Sequence, residues 1–212
     1  MQERHLRIIY LFLASEAETK PIRDKIVLEM KSLSSQHEKS GYVFQLLRWE
    51  DVSSAYSLSG RSEDEYLKLI DQSHMFAVII QNTVGKYMIE EFEYAEKKFR
   101  ETGTFPKVVV YTLPTNKDNG IRQKFIKQLR EGKKDYFHSK VDDEDALLGN
   151  IVGELLRIKD QYEASIQEVE ATIERVNFDS SLTQEAIELF QEGKYDEAIK
   201  TLDMDLIRER DK

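Results

Sequence analysis

The stretch MFAVIIQNTVGKYMIEEFEYAEKKF, residues 75–99, decides the fold class. Its first six residues form an unbroken apolar run, which is typical of a parallel strand covered on both faces. Beyond Gly85, apolar residues recur every three or four positions, as one buried helical stripe requires. That stripe consists of Met88, Phe92, Ala95 and Phe99. A buried strand followed directly by an amphipathic helix indicates an α/β protein.

The same alternation extends from this stretch in both directions. Short apolar runs predict strands at residues 6–13, 43–49, 75–80 and 108–112, with a weaker strand at 136–141. Further helical stripes consist of Ile22, Ile26, Met30 and Leu33, of Tyr66, Leu67 and Ile70, of Ile121, Phe125 and Leu129, and of Leu148, Ile151, Val152, Leu155 and Ile158. Right-handed crossovers then predict an open, doubly wound parallel sheet of five strands, followed by a C-terminal helical extension.

Local signals at the ends of these segments agree with the periodicity. Pro21 suits the first turn of the first helix, and Ser62 with Glu65 forms a capping box ahead of the second. Pro106 and Pro114 bracket the fourth strand, where a missing N–H is tolerated.

The net charge and the absence of Cys limit the binding partners and the kinds of site that we expect. The chain has 212 residues, with 31 Lys and Arg against 40 Asp and Glu, and its net charge of −9 disfavours binding to nucleic acid or anionic membranes. It contains no Cys, and its four His show no metal-ligand spacing, so we expect neither a metal site nor a disulfide. The apolar run at residues 8–14 is too short to span a bilayer, which needs about 20 residues. We therefore expect a cytoplasmic protein.

The chain changes character beyond Lys159, which predicts an α/β domain at residues 1–159 and a helical region at 160–212. In the second region the segment AIELFQEGKYDEAIKTLD, residues 186–203, resembles the turn between the two helices of a tetratricopeptide repeat. Gly193, Tyr195 and Ala198 have the expected spacing. The chain is then either the N-terminal portion of a longer protein cut within its repeats, which we favour, or it ends in a helical pair that docks a protein partner.

Candidate site residues follow from the sheet, because ligands of open parallel sheets bind outside the carboxyl ends of the strands. The segments in question are 14–16, 49–51 and 81–82, with the turns that follow them. The serine-rich loop at residues 51–62 carries Arg61 ahead of a helix N-terminus, which suits phosphate or ribose recognition. A plain solvated loop is the equal alternative.

The third helix carries four glutamates, at positions 90, 91, 93 and 96. At about 100° per residue, Glu90 and Glu93 are expected to point to solvent, whereas Glu91 and Glu96 flank the buried stripe. Only Glu91 is also expected in the first turn, next to the strand ends. On the residues alone, the simpler interpretation is that all four belong to the solvated half of the helix.

Across roughly residues 6–158 the sequence resembles a bacterial TIR (Toll/interleukin-receptor) domain, whose fold is flavodoxin-like. The resemblance rests on LFLASEAE (11–18), on RWEDVSSAYSLSGRSEDEY (48–66), which includes the family's long loop, and on GKYMIEEFEYA (85–95). In the family a Trp lies four residues before a catalytic Glu. Here Tyr87 and Glu91 have that spacing, with Tyr in place of Trp.

The resemblance implies an NAD+ nucleosidase that cleaves the nicotinamide–ribose bond, acts in antiphage defence or signalling, and is activated by self-association. NAD+ would be the substrate, and no cofactor is expected. Glu91 would bind the ribose and stabilise the cation formed when nicotinamide leaves. Its expected companions in substrate binding are Ser15, Trp49, Asp51, Arg61 and Tyr87.

Two other functions remain open. Some members of the family are non-catalytic adaptors, and the helical tail suits that role here. Nucleoside deoxyribosyltransferases, which are related, also place a Glu at the start of the corresponding helix, so base exchange on nucleosides or nucleotides is the second alternative.

Overall fold

A computed structural model describes residues 6–47, 63–117, 120–131, 137–175, 181–191, 194, 197–198 and 201. Five strands, six α-helices and two short 3-10 helices are defined there. The strands are β1 (Arg7–Ser15), β2 (Tyr42–Leu47), β3 (Met75–Ile80), β4 (Lys107–Thr112) and β5 (Phe137–Lys140). The helices are α1 (Lys20–His37), α2 (Glu63–Gln72), α3 (Lys86–Thr102), α4 (Gly120–Glu131), α5 (Glu144–Arg175) and α6 (Ser181–Gln191).

The five strands form one parallel sheet in the order β2-β1-β3-β4-β5. β3 lies at its centre, where Leu11 pairs with Met75 on one side and Met75 pairs with Lys107 on the other. This order is that of a flavodoxin-like doubly wound fold, so the predicted α/β class is confirmed. The order reverses between β1 and β3, which creates a crevice at their carboxyl ends.

The central strands form because their side chains are buried on both faces. All six residues of β3 are buried, as are five of the six in β4. The short edge strand β5 instead has Phe137 54% exposed. Burying a large apolar side chain stabilises the fold by about 1.5–3 kcal/mol, so these strands contribute strongly to its stability.

Each predicted helix is present, but two of the stripes were wrong in part. In α3, Met88, Phe92 and Ala95 are buried, and Phe99 packs partly against the same core. In α4, Ile121 is 61% exposed, and the buried face is formed by Arg122, Phe125, Ile126 and Leu129. In α5, Leu148 and Val152 are only partly buried, and the buried positions are Leu147, Ile151, Leu155, Ile158, Tyr162 and Ile166.

The helix α5 begins at Glu144, behind Asp143, whose carboxylate accepts a hydrogen bond from the N–H of Ala146 at 2.8 Å. Contacts divide the described chain into two compact units, one spanning Ile8–Leu155 and the other containing the residues from Leu156 onward. α5 runs without a break through residue 159, and the two-domain assignment with its repeat-like tail stays a prediction. Of the helices described, none is long and apolar enough to cross a membrane.

Candidate functional site

The crevice between β1 and β3 is bounded by the turns that follow these strands. Two carboxylates, those of Glu16 and Glu18, extend from the turn after β1 to the turn after β3. Since ligands of doubly wound sheets bind where the strand order reverses, this crevice is the expected binding position in the fold.

Glu16 caps the N-terminus of α3. Its Oε1 accepts a hydrogen bond from the backbone N–H of Gly85 at 2.7 Å, immediately before the first residue of the helix. A negative charge is favoured there, because the first N–H groups of a helix lack partners within it. A Cβ atom at position 85 would overlap with that Oε1, so any other residue would displace the carboxylate.

Glu18 binds the turn after β3. One carboxylate oxygen accepts from the backbone N–H groups of Asn82 and Thr83, at 2.8 and 3.1 Å, and the other accepts from the Asn82 side-chain amide at 3.0 Å. Desolvation is the largest single influence and raises the pKa of Glu18, but the hydrogen bonds from Asn82 and Thr83 together lower that pKa below its ordinary value. On its other side Asn82 accepts a hydrogen bond from the hydroxyl of Thr115, after β4.

Ser15, a predicted substrate-binding residue, lies at the end of β1 with its hydroxyl already engaged. The guanidinium of Arg23 donates to the Ser15 Oγ at 3.1 Å and to the Glu16 carbonyl at 3.0 Å. Arg23 is buried in α1, at 8% exposure. Through this residue α1 fixes the first turn of the crevice, and a substrate contact from Ser15 would be shared with Arg23.

Glu91 lies on α3 and is half-buried, as its flanking position predicted. Its expected place in the first turn was wrong, because α3 begins at Lys86 and Glu91 is therefore in the second turn. Helical side chains lean toward the N-terminus, so a second-turn residue covers the surface above the first turn. Tyr87 is 52% exposed and lies one turn before Glu91, on the same side of the helix.

The neighbouring charged residues on α3 differ in exposure. Glu93 is exposed as predicted, and Glu96 is partly buried and pairs with Arg100 at 2.8 Å. Glu90 departs from the prediction in being only partly exposed, and its carboxylate pairs with Lys86 at 3.1 Å. Lys86 itself has an 82% exposed side chain, as expected of a solvated charge.

Three predicted binding residues, Trp49, Asp51 and Arg61, lie outside the described residues, as does Ser62 of the expected capping box. Their place in the site stays a prediction. Of the predicted site residues, the structure therefore describes Ser15, Tyr87 and Glu91 alone.

Sequence reasoning did not single out Glu18, Arg23, Thr83 or Gly85 as partners in the crevice. A signal was present, since Glu16 and Glu18 follow one apolar run, and Asn82, Thr83 and Gly85 follow another. Knowing that β1 and β3 are neighbours would have brought the two turns together. In the described part of the chain, no group of three or more His, Asp or Glu side chains is arranged to hold a metal ion.

No family model matches the chain, and no curated protein matches its sequence.

Proposed function

We propose that this protein is an NAD+ nucleosidase in which Glu91 is the catalytic carboxylate. The observation that carries the proposal is the half-burial of Glu91 on the helix that follows β3, one turn beyond an exposed aromatic residue, Tyr87. This helix begins at the crevice where the strand order reverses.

Cleavage of the nicotinamide–ribose bond requires a carboxylate that stabilises positive charge, but it requires no general acid. When the C1′–N bond of NAD+ breaks, its electron pair passes to the nicotinamide nitrogen, which leaves as a neutral base. The ribose is left as an oxocarbenium-like cation, which a nearby carboxylate stabilises. Water then forms the new C1′–O bond and releases one proton, giving ADP-ribose.

The half-burial of Glu91 suits this role, because a carboxylate with little surrounding water interacts more strongly with a cation than one in bulk solvent. Tyr87 offers an exposed ring on the same side of α3, and we propose that it stacks on the nicotinamide or adenine ring. Trp49, Asp51 and Arg61 would complete the pocket from the loop ahead of α2, with the Arg61 guanidinium on the pyrophosphate.

The amides at the start of α3 do not suit the pyrophosphate, since the Glu16 carboxylate accepts the Gly85 N–H and Glu18 lies beside it. The two carboxylates would repel the phosphates of NAD+ from this end of the crevice. They would attract its positively charged nicotinamide ring. We therefore propose that NAD+ binds with its nicotinamide end toward α3 and its phosphates toward residues 51–62. Self-association of the chain would bring a second copy to the open side of the crevice, where NAD+ would enter.

The decisive experiment measures NAD+ loss and nicotinamide release by chromatography, at high protein concentration with a crowding agent. Glu91→Gln keeps the size of the side chain and removes its charge, and we expect turnover to fall about 10²–10³-fold, as on loss of an electrostatic catalytic group. Glu90→Gln and Glu93→Gln are matched controls on the same helix and should retain turnover. Turnover that survives Glu91→Gln would refute the assignment, and a silent wild type would favour the adaptor function.

Base exchange on nucleosides is the second candidate, and the same two carboxylates favour it. A nucleoside has no phosphate to be repelled by Glu16 and Glu18. Incubation with a nucleoside and a different, isotopically labelled free base tests this directly. Label that enters nucleoside and is lost in Glu91→Gln, without loss of NAD+, would replace the first proposal with the second.

A further inference from the structure

A cavity with no described lining residue from α3 lies at the carboxyl ends of β4 and β5 and along α4. Its volume is about 640 Å³, and its described lining comes from β4, α4, β5 and the segments that follow the two strands. Small-molecule sites occupy about 300–1,000 Å³, so this cavity has the size of a nucleotide site. The strand ends of a parallel sheet are also where ligands of this fold class bind.

The lining is basic in a chain that is acidic overall. Four cationic side chains line it, those of Arg122, Lys127, Arg130 and Lys140, against the two carboxylates of Glu131 and Asp142. The Lys127 ammonium and the Glu131 carboxylate lie 3.7 Å apart on the exposed rim, and an ion pair there contributes little to stability. This excess of positive charge among the described lining residues contrasts with the net charge of −9 of the whole chain.

Arg122 gives the cavity a fixed cation. The residue is 7% exposed, and its Nη2 donates to the carbonyl of Leu113 at 3.1 Å. Leu113 in turn donates its N–H to the carbonyl of Ile80 in the central strand, at 2.8 Å. A guanidinium held in one orientation matches the geometry of a phosphate.

Helix α4 places Arg122 in this cavity. It begins at Gly120, so Arg122 is in its first turn. The presence of Arg122 on the inner face also leaves Ile121 exposed, against the apolar periodicity. A cation therefore occupies the first position of the buried face, where the predicted stripe had Ile121.

We propose that this cavity binds the phosphate group of a small phosphorylated molecule, at a site distinct from Glu91. A nucleoside monophosphate and inorganic phosphate share the chemistry that the four cations recognise, and the cavity volume favours the nucleotide. The site goes beyond the proposed NAD+ chemistry and does not depend on it.

Calorimetric titration of the full chain with AMP, adenosine and inorganic phosphate tests the proposal. We expect AMP to bind at least about tenfold more tightly than adenosine, because charge-assisted bonds to the phosphate supply the affinity. Tighter binding of AMP than of inorganic phosphate identifies a nucleotide ligand, and equal binding identifies the free ion. Equal affinities for AMP and adenosine, or no binding of AMP and phosphate, would overturn the proposal.

Variants locate the site. The double substitution Arg130→Gln with Lys140→Gln changes two exposed side chains and should weaken AMP binding at least about tenfold. The control, Lys97→Gln with Lys124→Gln, removes the same charge outside the lining and should leave binding unchanged. Glu91→Gln should also leave it unchanged. If the control weakens binding as much, or if Glu91→Gln alone abolishes it, AMP does not bind in this cavity.

Discussion

At the scale of single residues, the crevice is organised by Glu18, which no apolar pattern could identify. Its carboxylate accepts hydrogen bonds from the turn that leads into α3, and its pKa is lowered because these bonds outweigh desolvation. A folded-state pKa below the unfolded value of 4.5 means that the ionised form stabilises the fold. That contribution is present above the unfolded pKa and is lost as the pH falls through the folded pKa.

We therefore expect Glu18→Gln to lower the free energy of unfolding by about 1 kcal/mol at neutral pH, a modest amount because the carboxylate is solvent-exposed. Below the folded pKa both proteins carry a neutral side chain there, so the difference should shrink toward zero. Urea unfolding at neutral pH and at successively lower pH values measures it, since stability follows the difference in bound protons. Glu29→Gln, on the exposed face of α1, is the control. A difference that stays constant with pH would mean that the charge of Glu18 contributes nothing.

At the scale of elements, a polar cluster of Asp71, Tyr94 and Lys98 connects α2 with α3. The Tyr94 hydroxyl donates to the Asp71 carboxylate at 2.9 Å, and the Lys98 ammonium lies 3.0 Å from the same group. Desolvation first and the Asp71 hydrogen bond second raise the pKa of Tyr94, so the hydroxyl stays protonated and remains a donor at neutral pH. This cluster holds the helix that follows the predicted binding loop against the helix that carries Glu91.

Removal of the Tyr94 hydroxyl tests whether this cluster stabilises the fold. Tyr94→Phe should lower the free energy of unfolding by about 0.5–1.5 kcal/mol, the usual net value of a hydrogen bond. It should also raise the KM for NAD+ more than it lowers kcat, because the predicted binding residue Arg61 precedes α2 in the sequence, whereas Tyr94 has no part in the proposed chemistry. Tyr87→Phe makes the same chemical change at a 52% exposed position of α3 and should lower stability less. Equal losses of stability in the two variants would show that the Asp71 contact contributes nothing.

Elements could be predicted well where burial dominates. The strand at Met75–Ile80 was predicted to the residue, because six consecutive apolar residues fit only a buried strand in this setting. α4 was less predictable, since a buried Arg122 takes a place in the inner face that periodicity assigned to Ile121. The contacts of the crevice could not be predicted either. Glu18 and Asn82 are 64 positions apart, and only the strand order brings them together.

At the scale of the whole molecule, net charge bears on self-association. A chain with a charge of −9 repels its own copies, and this repulsion extends over about 30 Å at 0.01 M salt but only about 10 Å at 0.1 M. If NAD+ cleavage requires a second copy at the open side of the crevice, screening should promote both assembly and turnover.

We expect sedimentation at about 0.15 M NaCl to show more assembly than at about 0.01 M, with turnover per chain rising in parallel, because salt screens the repulsion between copies. Glu91→Gln should assemble to the same extent and remain inactive, which separates assembly from chemistry. Assembly that weakens with salt would mean that opposite charges join the copies. A species that keeps the 24.9 kDa mass of one chain and still turns over NAD+ would show that one copy contains the complete site.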